Sequence, residues 1–261
     1  MKKRKILFIH PGMSTFVKAD FEFINHKYET KEFFYKASKT LKGNLTEQFR
    51  MLFWLVRYIW WCDSIYIWFA DYHSFLPTIF GRIILRPVYS VLGGSDTQYI
   101  KKYNYGNIYG PYGIRKWCVI FSLKYATCLF PVDECLIYST NNFIEGEYYE
   151  YGAKKIVKNF NTPYKVQVTS INESIWNVKT KKNIVITVAK VDKIRTLKRK
   201  GIEFYLQVAK EMPEVDFILV GISKSIISQL SIPKNVTSFP FVEWDTLKEI
   251  YATSKVFCLF T

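Results

Sequence analysis

Histidine is scarce in this chain, three in 261 residues, and none stands beside a cysteine pair. The five cysteines, Cys62, Cys118, Cys128, Cys135 and Cys258, are odd in number and form no CxxC. These absences argue against a zinc site and against a disulfide framework. Scattered cysteines with apolar flanks serve as small core side chains in a reducing compartment. No uninterrupted apolar run reaches the roughly 18 residues of a membrane span. The nearest, Met51 to Trp61 and Trp117 to Phe130, are broken by Arg57 and Lys124. The basic start is followed only by Ile6 to Ile9, too short for the apolar core of a signal peptide. The expected address is therefore the cytoplasm. GxGxxG, Walker A and GxSxG are all missing, which disfavours dehydrogenases, P-loop enzymes and α/β-hydrolases. No recognised nucleic-acid module occurs, so no nucleic-acid partner is expected.

Acidic residues are also few, 22 against 37 Lys and Arg, for a net charge of +15. A surplus of that size points to an anionic partner, a phosphorylated ligand, a membrane surface or nucleic acid, of which only the last lacks any supporting motif. Apolar residues make up 49%, enough for a sizeable core. An AT-rich genome also favours Lys, Tyr and Phe codons, so the charge and the 18% aromatic content carry reduced weight.

Short apolar runs bounded by glycine, proline or polar residues alternate with helical periodicity. Strands are expected at Lys5–His10, Tyr28–Phe34, Asp63–Phe69 and Val88–Leu92, with a helix from about Ser14, another over Leu45–Trp61 and a third over Ser74–Leu85. Tyr99–Gly113 reads as a loop, Ile114–Phe130 as a long helix, Glu134–Ser139 as a strand and Asn141–Tyr151 as a helix. The polar stretch Asn172–Lys182 reads as a linker, after which the pattern restarts. Strands are expected at Asn183–Ala189, Asp216–Val220, Val236–Phe239 and Val256–Phe260, and helices at Gly201–Met212, Ile222–Leu230 and Asp245–Ser254 with Asp245 as N-cap. The fold class is α/β, with two Rossmann-like doubly wound domains over 1–174 and 175–261. A parallel strand needs cover on both faces, so the second domain is expected to be incomplete and the chain to be the N-terminal part of a longer protein, the competing reading being an open sheet with a naturally terminal edge strand.

The run Lys190 to Gly201 sits between a buried strand and a helix, where ligands bind in open α/β sheets. Free N–H groups at a helix start, flanked by cations, suit a diphosphate. A solvated basic loop is the competing reading. Ile184–Ala189, this loop, Lys200-Gly201-Ile202-Glu203-Phe204 and Val215–Gly221 together resemble the donor domain of family 4 glycosyltransferases, and so do Val236–Phe241, Leu247–Tyr251 and Ser254–Phe257. Phe16–Asp20 after Pro11-Gly12, Trp68–Pro77 and Gly93-Gly94-Ser95-Asp96 resemble the acceptor half of the same family.

The resemblance implies the GT-B architecture and retaining sugar transfer from a nucleotide-diphosphate donor to a glycan or lipid-linked acceptor, as in surface polysaccharide synthesis. It implies a donor lying in the interdomain cleft and no obligatory metal or cofactor, and the sequence holds no Asp-x-Asp. Lys200 matches the family's diphosphate lysine. Lys190 stands where the family has an arginine, and Arg195 or Arg199 could take that place. Gly221 would let the nucleotide pass close to the backbone, and Gly12, Gly94 and Asp96 would hold the acceptor. Many relatives carry a histidine at the place of Leu92 or Gly93, which leaves that role unassigned. The family's glutamate motif would follow Thr261, so the 261-residue piece alone is expected to be poorly active.

Several candidates keep two readings. Asp96 is either a catalytic residue that accepts sugar or acceptor hydroxyls or a side chain that satisfies a turn. His73 is either a catalytic imidazole or a helix-entry side chain, and His10 either faces a ligand or ends a strand. His26 lies in a turn and is expected to face solvent. Trp54, Trp60 and Trp61, interleaved with basic residues, either rest on anionic lipid at the inner membrane face or line a core helix. A non-catalytic nucleotide- or membrane-binding protein on the same fold is the alternative to an enzyme.

Overall fold

The computed structural model describes residues 3–100, 105–108, 113–144, 147–170 and 173–260. The chain divides into two compact units, Met1–Ile171 and Asn172–Thr261.

The first unit opens with β1 (Lys5–His10), α1 (Thr15–Lys27), β2 (Glu29–Phe34), α2 (Leu41–Tyr58), β3 (Ser64–Trp68), α3 (Tyr72–Ile83) and β4 (Val88–Leu92). Then come α4 (Gly113–Tyr125), β5 (Cys128–Pro131), β6 (Ser139–Ile144), β7 (Glu147–Tyr151) and α5 (Ala153–Ile156). Five parallel strands form one sheet in the order β2-β1-β3-β4-β5. Alternation along β1 serves both faces of that sheet. Leu7 and Ile9 pack with Met51 and Leu55 of α2, while Ile6 and Phe8 pack with Val17 and Ile24 of α1. A strand covered on both sides needs an unbroken apolar run, and Ile6 to Ile9 of β1 is one.

The second unit contains β8 (Lys182–Val191), α6 (Ile194–Arg199), α7 (Ile202–Glu211), β9 (Asp216–Ile222), α8 (Lys224–Ile227), β10 (Val236–Phe239), α9 (Trp244–Thr253) and β11 (Ser254–Phe257). Its four strands are parallel in the order β10-β9-β8-β11. Tyr205 of α7 is buried over this sheet, and its hydroxyl donates toward the carbonyls of Val185 and Ile218, each at 2.9 Å.

Several expectations need correction. Asn141–Tyr151 is not a helix but most of an antiparallel hairpin, with Ser139 opposite Tyr151 and Asn141 opposite Tyr149. Three tyrosines in EYYEY favour a pleated, half-exposed surface over a helix. Glu134–Ser139 is not a strand either. Asp133 accepts from the Cys135 N–H at 2.8 Å and caps a single 3-10 turn, Glu134–Leu136. The long helix ends at Tyr125 because the Thr127 N–H turns to the Val88 carbonyl at 2.8 Å, and Cys128–Pro131 then joins the sheet. Helix α9 starts at Trp244, so Asp245 lies in its first turn rather than at the cap. The basic run after β8 is not all loop, since α6 occupies Ile194–Arg199. The expected loop Tyr99–Gly113 and the start of the linker lie partly outside the described residues.

Candidate functional site

Each sheet has one place where the strand order reverses, between β1 and β3 in the first unit and between β8 and β11 in the second. In open α/β sheets the crevice beyond the carboxyl ends of the strands at such a point is where ligands bind. The first crevice is bounded by the turns after β1 and β3, with the turn after β4 beside them.

His10 ends β1 and is almost wholly buried. Its Nδ1 accepts the Gly12 N–H at 3.1 Å, and its Nε2 lies 2.8 Å from Glu32 Oε1. An imidazole nitrogen that accepts carries no proton, so the neutral ring is protonated at Nε2 and donates to the carboxylate. The pair thereby pins the turn at Gly12. A Cβ on Gly12 would meet no atom within 4 Å, so this turn is open to a ligand.

Phe69, directly after β3, has φ 67°, a conformation an aromatic residue adopts only under constraint. Its ring fills the space beside Gly93, where a Cβ would lie 2.2 Å from Phe69 Cε1. Asp71 follows and is a hub. Its Oδ1 accepts the Tyr72 N–H at 2.8 Å, and with Ser74 it forms a capping box on α3. Its two oxygens also take the Nε and Nη2 of Arg115 at 2.7 and 2.6 Å. Arg115 reaches on to Asn107 Oδ1, whose amide donates to the Ala70 carbonyl.

Asp96 is fully buried. Its carboxylate accepts the backbone N–H groups of Gly94 at 2.9 Å, Gly93 at 3.1 Å and Ala70 at 3.4 Å. These contacts give Asp96 the turn-forming role. They also occupy the Gly93 and Gly94 N–H groups, which are therefore not free for a sugar. Burial raises its pKa from 3.8 to about 6 against the opposing pull of the backbone donors. A raised folded pKa means stability that is full below about pH 4 and is lost as pH rises through about 6. The span is on the order of 3 kcal/mol. Thermal denaturation between pH 3.5 and 7 should show this slope in the native protein and a flatter one in Asp96→Asn. Parallel profiles would remove Asp96 as the source.

His73 is buried, and its Nε2 donates to the Trp68 carbonyl at 2.8 Å. Desolvation lowers its pKa and keeps the ring neutral. That is the helix-entry role, with no exposed nitrogen edge for a substrate. His26 is exposed at the end of α1.

In the second crevice the basic residues share one connection. Lys190 is exposed near the end of β8, Arg195 is exposed in the first turn of α6, and Lys200 is half-buried where α6 ends. Desolvation, followed by the nearby Arg199, lowers the pKa of Lys200. Gly201 then takes φ 60° and starts α7. A Cβ there would lie 2.0 Å from the Phe260 carbonyl oxygen, so the segment after β11 lies against this turn. Gly221 has φ 96°, and the space beside it is filled by the Ala189 carbonyl. That carbonyl belongs to an irregularity in β8, where the register shifts between Val188 and Val191. The close approach Gly221 permits is thus one of backbone to backbone within the sheet. Among the described residues no group of three or more His, Cys, Asp or Glu is placed to hold a metal ion.

The sequence missed the His10–Glu32 pair and the Asp71–Arg115 pair. Both depend on partners 22 and 44 residues apart. The Asp71-Tyr72-His73-Ser74 capping pattern is the one local signal that marked either.

No known family profile matches the chain, and no curated protein matches it. Solved structures do. The UDP-GlcNAc 2-epimerase from Neisseria meningitidis bound to UDP-GlcNAc is similar over 97% of this chain and 76% of its own, with 13% identity and a TM-score of 0.55. The UDP-GlcNAc 2-epimerase from Methanocaldococcus jannaschii in complex with UDP-GlcNAc and UDP is similar over 97% and 78%, with 11% identity and a TM-score of 0.54. The MnaA–UDP co-structure from S. aureus is similar over 97% and 73%, with 12% identity and a TM-score of 0.51. At these identities the likeness establishes the fold: both units are Rossmann-like, and the chain shares the fold of GT-B proteins.

Proposed function

We propose that this chain is a sugar-nucleotide enzyme, or part of one, that moves a sugar from a nucleotide-diphosphate donor to a glycan or lipid-linked acceptor. The observation that carries the reading is Lys200, a partly desolvated ammonium at the turn into α7 beside the strand reversal of the second unit. The diphosphate would lie beside the turn into α7, within reach of Lys200 and toward the positive end of the helix dipole, and the Phe260 carbonyl that lies against Gly201 would have to move aside for it to reach the helix N–H groups. Lys200, with Lys190 or Arg195, would neutralise the charge that develops on the leaving diphosphate. The open turn at Gly12 in the first unit is the acceptor-side candidate. The resemblance to family 4 glycosyltransferases supports retention of configuration and an acceptor from surface polysaccharide assembly.

A second reading has a specific support. It is rearrangement of the sugar nucleotide itself, and its support is that the similar structures above are named as UDP-GlcNAc 2-epimerases or hold UDP.

Titration calorimetry with UDP is the first test. Lys200→Ala should weaken binding about tenfold, since a charge-assisted hydrogen bond is worth about 1.5–3 kcal/mol. Unchanged affinity would remove Lys200 from the site. Incubation with UDP-GlcNAc then separates the reactions. Release of UDP only when an acceptor is present supports transfer, and an isomerised sugar without an acceptor supports epimerisation. Binding without either product supports a non-catalytic nucleotide-binding protein.

A further inference from the structure

Helix α2 carries two apolar faces, and only one of them meets the core. Asn44, Met51 and Leu55 are buried. Leu41, Leu45, Phe49, Phe53, Val56 and, just past the helix end, Trp60 recur every three or four residues and are exposed. Phe53 is 73% exposed, Trp60 69% and Phe49 61%. Of the tryptophans singled out from the sequence, Trp54 and Trp61 are partly buried beside the core, and Trp60 alone is exposed.

Cations line the border of this stripe, and they are held in place. The Arg50 guanidinium lies 4.1 Å from the Phe33 ring centroid, and Arg57 lies 5.4 Å from that of Tyr58. Lys31 lies 4.6 Å from Tyr58 and 4.9 Å from Trp61. Phe33, Arg50, Phe53, Trp54, Arg57 and Tyr58 line an open groove of about 290 Å³ that contains no carboxylate. Glu47 is the one acid of α2, and Arg50 pairs with it at 2.6 Å. Glu29, at the start of β2, shares the strand face of Lys31 and Phe33.

We propose that this face of α2 docks on an anionic lipid bilayer, with the helix lying in the interface plane. Phe49, Phe53, Val56 and Trp60 would enter the acyl boundary, and Arg57 and Lys31 would meet the lipid phosphates, since Arg50 is held by Glu47 and the Phe34 carbonyl. Charge complementarity favours this occupant: Arg57 and Lys31 border a long apolar stripe whose one acid, Glu47, is already neutralised by Arg50, as an interfacial helix requires. A free phosphate would use the cations and leave the stripe exposed to water, so the lipid is the source of the phosphate. The inference does not rest on the proposed sugar chemistry.

The test is co-sedimentation of the whole chain with phosphatidylcholine vesicles, with and without about 30% phosphatidylglycerol. Binding should require the anionic lipid and weaken as salt rises through about 0.5 M. Phe49→Ser/Phe53→Ser should lower the partition coefficient about tenfold or more, and Arg57→Glu should lower it several-fold. Lys224→Glu, an equal charge change on the second unit, should have a smaller effect. The proposal is overturned if the serine variant binds as well as the native chain, or if Lys224→Glu matches Arg57→Glu. It is also overturned if sedimentation velocity shows a dimer that the serine substitutions dissolve, because the stripe would then cover a second copy.

Discussion

Gly221→Ala should destabilise the second unit by about 3 kcal/mol or more. Two costs combine. Alanine at φ 96° is strained, and its Cβ would lie 2.5 Å from the Ala189 carbonyl oxygen, a backbone atom that cannot rotate away. Relief requires β8 and β9 to part at the centre of a four-stranded sheet. Urea denaturation with hydrogen exchange on peptides from β8 and β9 would detect the change, with the first unit left as it was. Gly12→Ala is the matched control. With no atom near its Cβ it should be close to neutral in stability, and any loss of ligand binding would mark the Gly12 turn as a contact surface. Equal stability of Gly221→Ala and the native chain would contradict the sheet geometry described above.

Asp71→Ala should cost the first unit about 2–4 kcal/mol. It removes the cap of α3 and leaves Arg115 without its bidentate partner. The pair is only partly shielded, with side-chain exposures of 36% for Arg115 and 15% for Asp71, so the figure lies below that of a fully buried ion pair. Asp71→Asn keeps an oxygen for the Tyr72 N–H and should lose less. The difference between the two variants therefore separates cap from charge. A double-mutant cycle with Arg115→Ala should return a coupling of about 1–2 kcal/mol. Additive effects would mean that Arg115 and Asp71 act independently despite their 2.6 Å contact.

The strands at the centre of each sheet were legible because burial on both faces leaves a mark that needs no partner to read. Ile6 to Ile9 and Ile184 to Val188 are examples. The paired strands β6 and β7 do not follow from local periodicity, because they are defined by pairing with each other across the register Ser139 to Tyr151 and Asn141 to Tyr149. At the candidate sites, Lys200-Gly201 stood out because the chemistry and the turn occupy adjacent residues. His10 with Glu32 did not, because they meet through the register of β1 against β2, which no local pattern encodes. Asp96 and His73 illustrate a third case. Both lie in the segments that resemble the acceptor half, and both spend their hydrogen bonds on the backbone. Residue type alone does not separate a polar group that contacts a ligand from one that shapes the turn beneath it.

The order of strands in the second unit also has a consequence for synthesis. β8 leaves the ribosome first, and β9 can pair with one side of it some thirty residues later. Its other side waits for β11, the last strand of the sheet to be made. Throughout that interval the apolar IVI of β8, Ile184 to Ile186, offers unpaired backbone groups to any neighbouring nascent chain. Translation speed and chaperone supply over residues 192–253 should therefore govern how much of this protein reaches its folded state when it is overproduced.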